Sequence, residues 1–358
     1  MTVIAQFTIS STRIINPDGE AIAALPAFAE DLKELVALYD ALVLSRTFDA
    51  KAIALQRTGR LGTYASALGQ EAVAVGAAAA MLPSDVLVPS FREHGAQLWR
   101  GVTLTEMFLY WGGDERGNDF AGPREDFPNC VPVGSHAPHA VGAALALRLR
   151  GEKRAVVCIF GDGATSKGDV AEAINMAGVW KAPVVFLVNN NGWAISVPRE
   201  RQSAAQTLAQ KGIAAGVACE QVDGNDVIAV RHVMAQALQR ARSGEGPTLV
   251  EAVTYRLSDH TTADDATRYR DDKEVSAHWA EEPIARLRNH LVRRGAWSKA
   301  QEEGLLQECR RQVEEAAANY LATPPLAPAE LFDHVYATLP PELGEQREVA
   351  VAASGGKP

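Results

Sequence analysis

Two residues with hard oxygen donors, Asp162 and Asn191, stand 29 positions apart, each close behind an apolar run. Arg154 to Phe160 reads RAVVCIF and Val184 to Val188 reads VVFLV. Between them, Asp169 to Trp180 has helical spacing, with Val170, Ile174, Ala177 and Val179 on or near one face. Strand, helix, strand is a βαβ unit, which forces two parallel strands into one sheet. A right-handed crossover brings the carboxyl ends of both strands to the same edge, where ligands of open α/β folds bind. A carboxylate and an amide carbonyl converging there suit Mg2+, which takes few protein ligands and keeps phosphate oxygens and water. Gly161 and Gly163 let the backbone turn sharply and come close to a phosphate. A helix beginning near Ser166 aims its first N–H groups at the same place. These residues read as a metal–diphosphate site; the plainer alternative is that Asp162 and Asn191 end their strands in side-chain turns.

Rival phosphate motifs fail on spacing. A dinucleotide fingerprint needs a third glycine where Ser166 stands, and a P-loop needs Lys-Ser/Thr where Asp169 follows Gly168.

The elements that must position this pair alternate along the chain. Residues 1–28 read as an irregular arm, followed by a helix with Leu32, Leu35, Val36, Leu38 and Leu42 at helical spacing, running through Leu55 to a stop at Gly59. Gln70 to Met81 is an alanine-rich helix suited to close packing, and Val86 to Val88 a short strand. Val217 to Val222 and Thr248 to Val253 read as strands around a helix at Val227 to Ala241. The expected fold is therefore α/β, a doubly wound, mostly parallel sheet covered on both faces. Charged helices follow at Pro283 to Arg294 and Lys299 to Tyr320, and the tail after Gly344 is expected to be disordered. The expected divisions are an arm and first helix (1–44), the site-bearing α/β domain (45–290) and a helical extension with tail (291–358).

Composition bounds the rest. The 358 residues are 47% hydrophobic and 22% charged, enough for a sizeable core. With 35 Lys+Arg against 44 Asp+Glu the net charge is −9, which argues against nucleic acid and anionic membranes as partners. Cys130, Cys158, Cys219 and Cys309 form no C-x-x-C pair, which favours a reducing compartment. The longest apolar run, Ala72 to Leu82, falls short of the roughly 20 residues that span a bilayer. No secretory or transit pattern opens the chain, so the expectation is a soluble, cytoplasmic protein.

The pair Gly161-Asp162-Gly163 and Asn190-Asn191 resembles the thiamine diphosphate signature, GDG followed by NN after a βαβ crossover. The stretch GDGATSKGDVAEAINMAGVWKAPVVFLVNNNGWAISVP resembles the α subunit of 2-oxoacid dehydrogenase E1 components, most like bacterial pyruvate dehydrogenase E1 α. Similar segments are GQEA (69–72), FREHG (91–95), QVDGND (221–226), GEGPTLVEAVTYR (244–256) and DHTTADDATRYR (259–270), so the likeness covers roughly residues 45–340.

The resemblance implies that Asp162, Asn191 and the backbone carbonyl of Trp193 hold Mg2+, and that Gly163 and Ala164 present N–H groups to the diphosphate. Arg92 would pair with phosphate oxygens, where its planar fork fits, and Val133 would meet the aminopyrimidine through its backbone. Phe91 stands where the family carries a tyrosine, which removes a hydroxyl from the phosphate side. His260 would be the catalytic-side histidine, holding phosphate or stabilising charge near the substrate. His94, His136 and His139 are weaker candidates, the last two reading as packing or capping at a helix start. Thr261 occupies the place of a regulatory serine in animal relatives. Asp264, Asp265, Arg268 and Arg270 form either a salt-bridge network over the cofactor or a solvated surface.

The implied reaction is oxidative decarboxylation of a 2-oxoacid, with the acyl group passed to a lipoyl arm; the cofactor supplies the carbanion and electron sink. The carboxylate beside the aminopyrimidine belongs, in this family, to a β subunit. This chain then holds half of each active site in an α2β2 heterotetramer docked on a lipoyl-bearing E2 core. Pyruvate is the favoured substrate; the alternatives are a branched-chain 2-oxoacid and, third, an acetoin-cleaving activity.

Overall fold

The apolar runs become strands because each is buried on both faces. A computed structural model describes residues 1–333 and 335–354. Its strands are β1 (Ser11–Thr12), β2 (Val86–Val88), β3 (Val156–Gly161), β4 (Val184–Asn190), β5 (Trp193–Ala194), β6 (Val197–Pro198), β7 (Ala218–Asp223) and β8 (Thr248–Val253). Six of them form one sheet in the order β1-β7-β8-β4-β3-β2, every neighbouring pair parallel. The strands β5 and β6 make a separate antiparallel hairpin.

Side chains alternate across the sheet with the period of two that a strand dictates. Val157 and Ile159 of β3 and Val185 and Leu187 of β4 enter one core, together with helices Glu71–Ala79, Val227–Arg242 and part of Leu32–Arg57. Val156, Cys158, Phe160, Val184, Phe186 and Val188 enter the other, under helices His136–Leu149 and Gly168–Trp180. This is the doubly covered parallel sheet expected from the sequence. The alanines of Glu71–Ala79 do permit close packing. A Cβ on Gly76 would lie 2.8 Å from Cγ1 of Val230, on the neighbouring helix.

Two expectations need correction. The arm is not wholly irregular: Ser11 and Thr12 pair with Gln221 and Val222 and form the edge of the sheet. Asp226 explains why, since its Oδ2 accepts the N–H groups of Ile14 and Ile15, both at 2.7 Å, while its Oδ1 caps helix Val227–Arg242. The tail is not disordered from Gly344 either, because a helix spans Pro341–Ala353. Pro341 sits in its first turn, where the missing N–H costs nothing, and the run after it is mostly good helix formers. The last four residues of the tail, 355–358, lie outside the described residues.

No helix among the described residues is long and apolar enough to cross a membrane.

Candidate functional site

The register of the central strands sets the site. Gly161 of β3 lies opposite Asn189 of β4, so Asp162 and Asn191 leave the sheet side by side at its carboxyl edge. The chain after Gly161 first makes a tight 3-10 turn, Asp162–Ser166, and only then the helix from Gly168, two residues later than the sequence suggests. Of the two signature glycines, Gly161 has an ordinary extended backbone, φ −75° and ψ 167°, and open space where a Cβ would go. Gly163 is the crowded one, with a Cβ there meeting Ala194 Cβ at 3.0 Å. Past Asn191, Gly192 turns the chain at φ +83°, a conformation that favours glycine.

A cleft of about 210 Å3 opens at this edge, and all nine residues singled out from the sequence line it. Asp162, Gly163 and Ala164 form its floor with Asn191 and Trp193; Phe91, Arg92, Val133 and His260 come from three other segments. Asp162 is 1% exposed, and its Oδ2 has no hydrogen-bond partner. Burial pushes its carboxyl up to about 6, against the pull of Arg256 and nearby N–H groups. Asn191 Oδ1 accepts from the Trp193 N–H at 3.1 Å and its Nδ2 donates to Gln70 Oε1 at 2.8 Å. The Trp193 carbonyl faces the Arg256 guanidinium at 3.4 Å.

Arg92 lines the cleft and Arg256 lies against its lining residues Trp193, Ile195 and His260; both are buried, and their guanidiniums hydrogen-bond only neutral groups. Arg92 donates to the Ser66 carbonyl at 2.7 Å and to His260 Nδ1 at 2.8 Å. Arg256 donates to the Ile195 carbonyl and the Tyr269 hydroxyl, each at 2.9 Å. The carboxylates near them, Glu93 and Asp49 for Arg92 and Asp264 and Asp162 for Arg256, make no hydrogen bond to either guanidinium, and phosphate oxygens match the guanidinium fork. Because a guanidinium only donates, His260 Nδ1 must be the bare nitrogen and Nε2 must carry the hydrogen. Burial, then Arg92 and Arg256, push the His260 pKa down to about 4. With Nδ1 accepting from Arg92, the neutral imidazole presents its Nε2–H as a donor. Phe91 sets its ring edge-on to His260 at 6.2 Å and offers no hydroxyl.

The weaker histidines separate. His136 donates Nε2 to the Ile159 carbonyl at 2.9 Å, so it does pack, yet its ring also lines the cleft with Nδ1 unpartnered. His94 is buried away from the cleft, stacked on Tyr64, and burial lowers its pKa to about 3. His139 is exposed. The acidic–basic loop is held by hydrogen bonds to backbone and hydroxyl groups. Asp264 accepts from the His260 N–H at 2.9 Å and from the Tyr269 hydroxyl, and Arg270 donates to the carbonyls of Arg256 and Ser258, while Asp265 and Arg268 face solvent.

Sequence reasoning missed Gln70, Arg256 and Ile195. Arg256 sits just past β8, at the same edge as Asp162, and its position at a strand's carboxyl end was the available signal. Gln70 precedes an alanine-rich helix, next to Glu71, and nothing in its spacing marks it out. Ile195 adopts φ +56°, rare for a β-branched residue, in the β5–β6 turn that lines the cleft. Beneath the site, Asp49 on helix Leu32–Arg57 accepts from Tyr64 Oη, the Ser66 hydroxyl and the Ala67 N–H, fixing the segment that holds Arg92.

The family model for the dehydrogenase E1 component matches residues 39–329. A 3-methyl-2-oxobutanoate dehydrogenase subunit alpha of Mycobacterium tuberculosis is 43% identical over 342 residues, covering 95% of this chain and 93% of that protein. Pyruvate dehydrogenase E1 component subunits alpha of Acholeplasma laidlawii and Bacillus subtilis are 41% and 39% identical. They cover 88% and 94% of this chain, and 92% and 91% of their own lengths. The chain thus belongs to the dehydrogenase E1 component family, as an α subunit of a 2-oxoacid dehydrogenase.

Proposed function

We propose that this chain is the α half of a thiamine diphosphate- and Mg2+-dependent E1 enzyme that decarboxylates pyruvate and transfers the acetyl group to a lipoyl group of E2. The observation that carries the reading is one cleft lined by the buried Arg92 guanidinium and a buried, unpartnered carboxylate oxygen of Asp162, with the Arg256 guanidinium held against its lining residues Trp193, Ile195 and His260. Such a cleft fits a diphosphate and a hard cation together, since each supplies the charge the other lacks.

Asp162, Asn191 and the Trp193 carbonyl are the Mg2+ ligands in this reading, with Gly163, Ala164 and Arg92 on the diphosphate and Val133 beside the aminopyrimidine. The set includes a single carboxylate, as suits a cation that keeps phosphate and water in its octahedron. When bound, the cofactor supplies the carbanion that attacks the 2-oxoacid and the sink for the electrons left by CO2. His260 donates its Nε2–H to a phosphate or to developing negative charge on the substrate. Phe91 and Ile195 add apolar surface to the cleft wall. A β subunit completes the site in an α2β2 heterotetramer, and a lipoyl-bearing E2 core receives the product.

A second reading, a branched-chain 2-oxoacid as substrate, is favoured by the 43% identical mycobacterial relative. The test is to purify the chain with its stoichiometric partner and measure thiamine diphosphate content, then turnover on pyruvate and on 3-methyl-2-oxobutanoate. About one cofactor per αβ pair and a preference for pyruvate are expected. A strong preference for the branched acid would replace the first substrate by the second. A lone chain that binds no cofactor with ample Mg2+ would overturn the site reading.

A further inference from the structure

We propose that Gln70 is a positioning residue that fixes which end of the Asn191 amide faces the cation, and that its own amide N–H donates into the cleft. The inference rests on the site reading above.

It follows from a chain of donors with no freedom to reverse. The Trp193 backbone N–H can only donate, and it lies 3.1 Å from Asn191 Oδ1. Asn191 therefore turns Nδ2, also only a donor, toward Gln70, whose Oε1 accepts at 2.8 Å. Rotating either amide by half a turn would bring two donors face to face. The arrangement leaves a lone pair of Asn191 Oδ1 free for a cation. It also forces Gln70 Nε2 to the opposite side, where it is buried, lacks a protein acceptor and lies in the cleft wall shared with Arg92 and Asp162. Gln70 as a residue is 2% exposed. A buried donor without a partner is rare in folded proteins, and here it points into a site built for an anion. The acceptor it fits is an oxygen of that anion, either the cofactor's diphosphate or the carboxylate of the 2-oxoacid.

Two variants of the assembled protein separate these roles. Gln70→Met removes both the acceptor for Asn191 and the donor to the cleft; Gln70→Glu keeps the acceptor and loses the donor. Thiamine diphosphate binding is measured by calorimetry across a Mg2+ titration. Gln70→Met should raise the Mg2+ concentration for half-maximal binding by about 10- to 100-fold, the usual effect of losing a partner that orients a metal ligand. Gln70→Glu should restore the wild-type Mg2+ requirement. A Gln70→Met variant, which loses the donor without adding charge, with weakened cofactor binding at saturating Mg2+ assigns the donor to the diphosphate; a raised KM for the 2-oxoacid alone assigns it to the substrate. An unchanged Mg2+ requirement in Gln70→Met overturns the orienting role. A Gln70→Met variant with wild-type cofactor affinity at saturating Mg2+ and wild-type KM overturns the donor role. Wild-type protein that binds cofactor without regard to Mg2+ would instead reject the site reading, a failure visible before any variant is made.

Discussion

Replacing Asp162 by asparagine should make the unliganded protein more stable and abolish the further stabilisation that ligand gives the wild type. Burial moves the Asp162 carboxyl from an ordinary 3.8 to about 6. At about 1.4 kcal/mol per pKa unit, keeping it ionised costs the unliganded fold about 3 kcal/mol. The folded chain holds this proton up to about pH 6, whereas the unfolded chain releases it near 3.8. Stability therefore falls as pH rises through that window and stays lower above it. Asp162→Asn keeps the shape and removes the ionisation. Its margin over wild type should be about 1.5 kcal/mol at pH 5 and about 3 kcal/mol at pH 7.5, less whatever the new amide loses by lacking a partner. With thiamine diphosphate and Mg2+ at a hundredfold excess over Kd, wild type gains about 2.7 kcal/mol and the variant gains nothing. Thermal melts of the assembled protein at both pH values, with and without ligand, read each term as a shift of a few degrees. A variant that melts below wild type without ligand at pH 7.5 would refute the desolvated carboxylate. Equal stabilisation of both proteins by ligand would refute its role in holding the cation.

Further expectations concern neighbouring residues. Ile195→Asn should relieve about 1 kcal/mol of left-handed strain at φ +56°. Urea denaturation of the unliganded protein should show the gain while turnover falls; no gain would mean the turn carries no strain. Arg92→Gln should raise the His260 pKa from about 4 toward the ordinary histidine value, because a positive neighbour is lost. Histidine NMR across a pH series measures it, and an unmoved titration would leave burial and Arg256 as the causes. Asp226→Ala should cost about 3 kcal/mol, since it orphans two arm N–H groups and removes a helix cap. Chemical denaturation gives the cost, and faster proteolysis near residue 15 should accompany it.

What the sequence disclosed depended on how locally each feature was encoded. Strands β3 and β4 were legible because continuous apolar runs between turn residues are what a strand buried on both faces requires. Strand β1 was not, since Ser11 and Thr12 carry no apolar signal and owe their conformation to Asp226 and β7, some two hundred residues away. The helix at Pro341–Ala353 was hidden by the Gly-rich end that follows it. In the site, spacing alone brought Asp162 and Asn191 together, because one βαβ unit holds both. Arg92, Val133 and His260 arrive from separate segments, and only family likeness placed them. The Asn191–Gln70 and Arg92–Ser66 contacts join residues that no periodicity relates, so they appear only once the chain is folded.

The two-residue edge strand has a consequence for how this protein behaves in a crowded solution. An uncovered β7 would present a row of free N–H and C=O groups, a template on which another chain's strand can grow. Ser11 and Thr12 occupy part of that row, and the Gln221 N–H is already taken by the Ser10 carbonyl. Removing residues before Ser10 should thus leave the protein free of aggregation through this sheet edge. Cutting a few residues further in should seed it, with no change at the cleft itself.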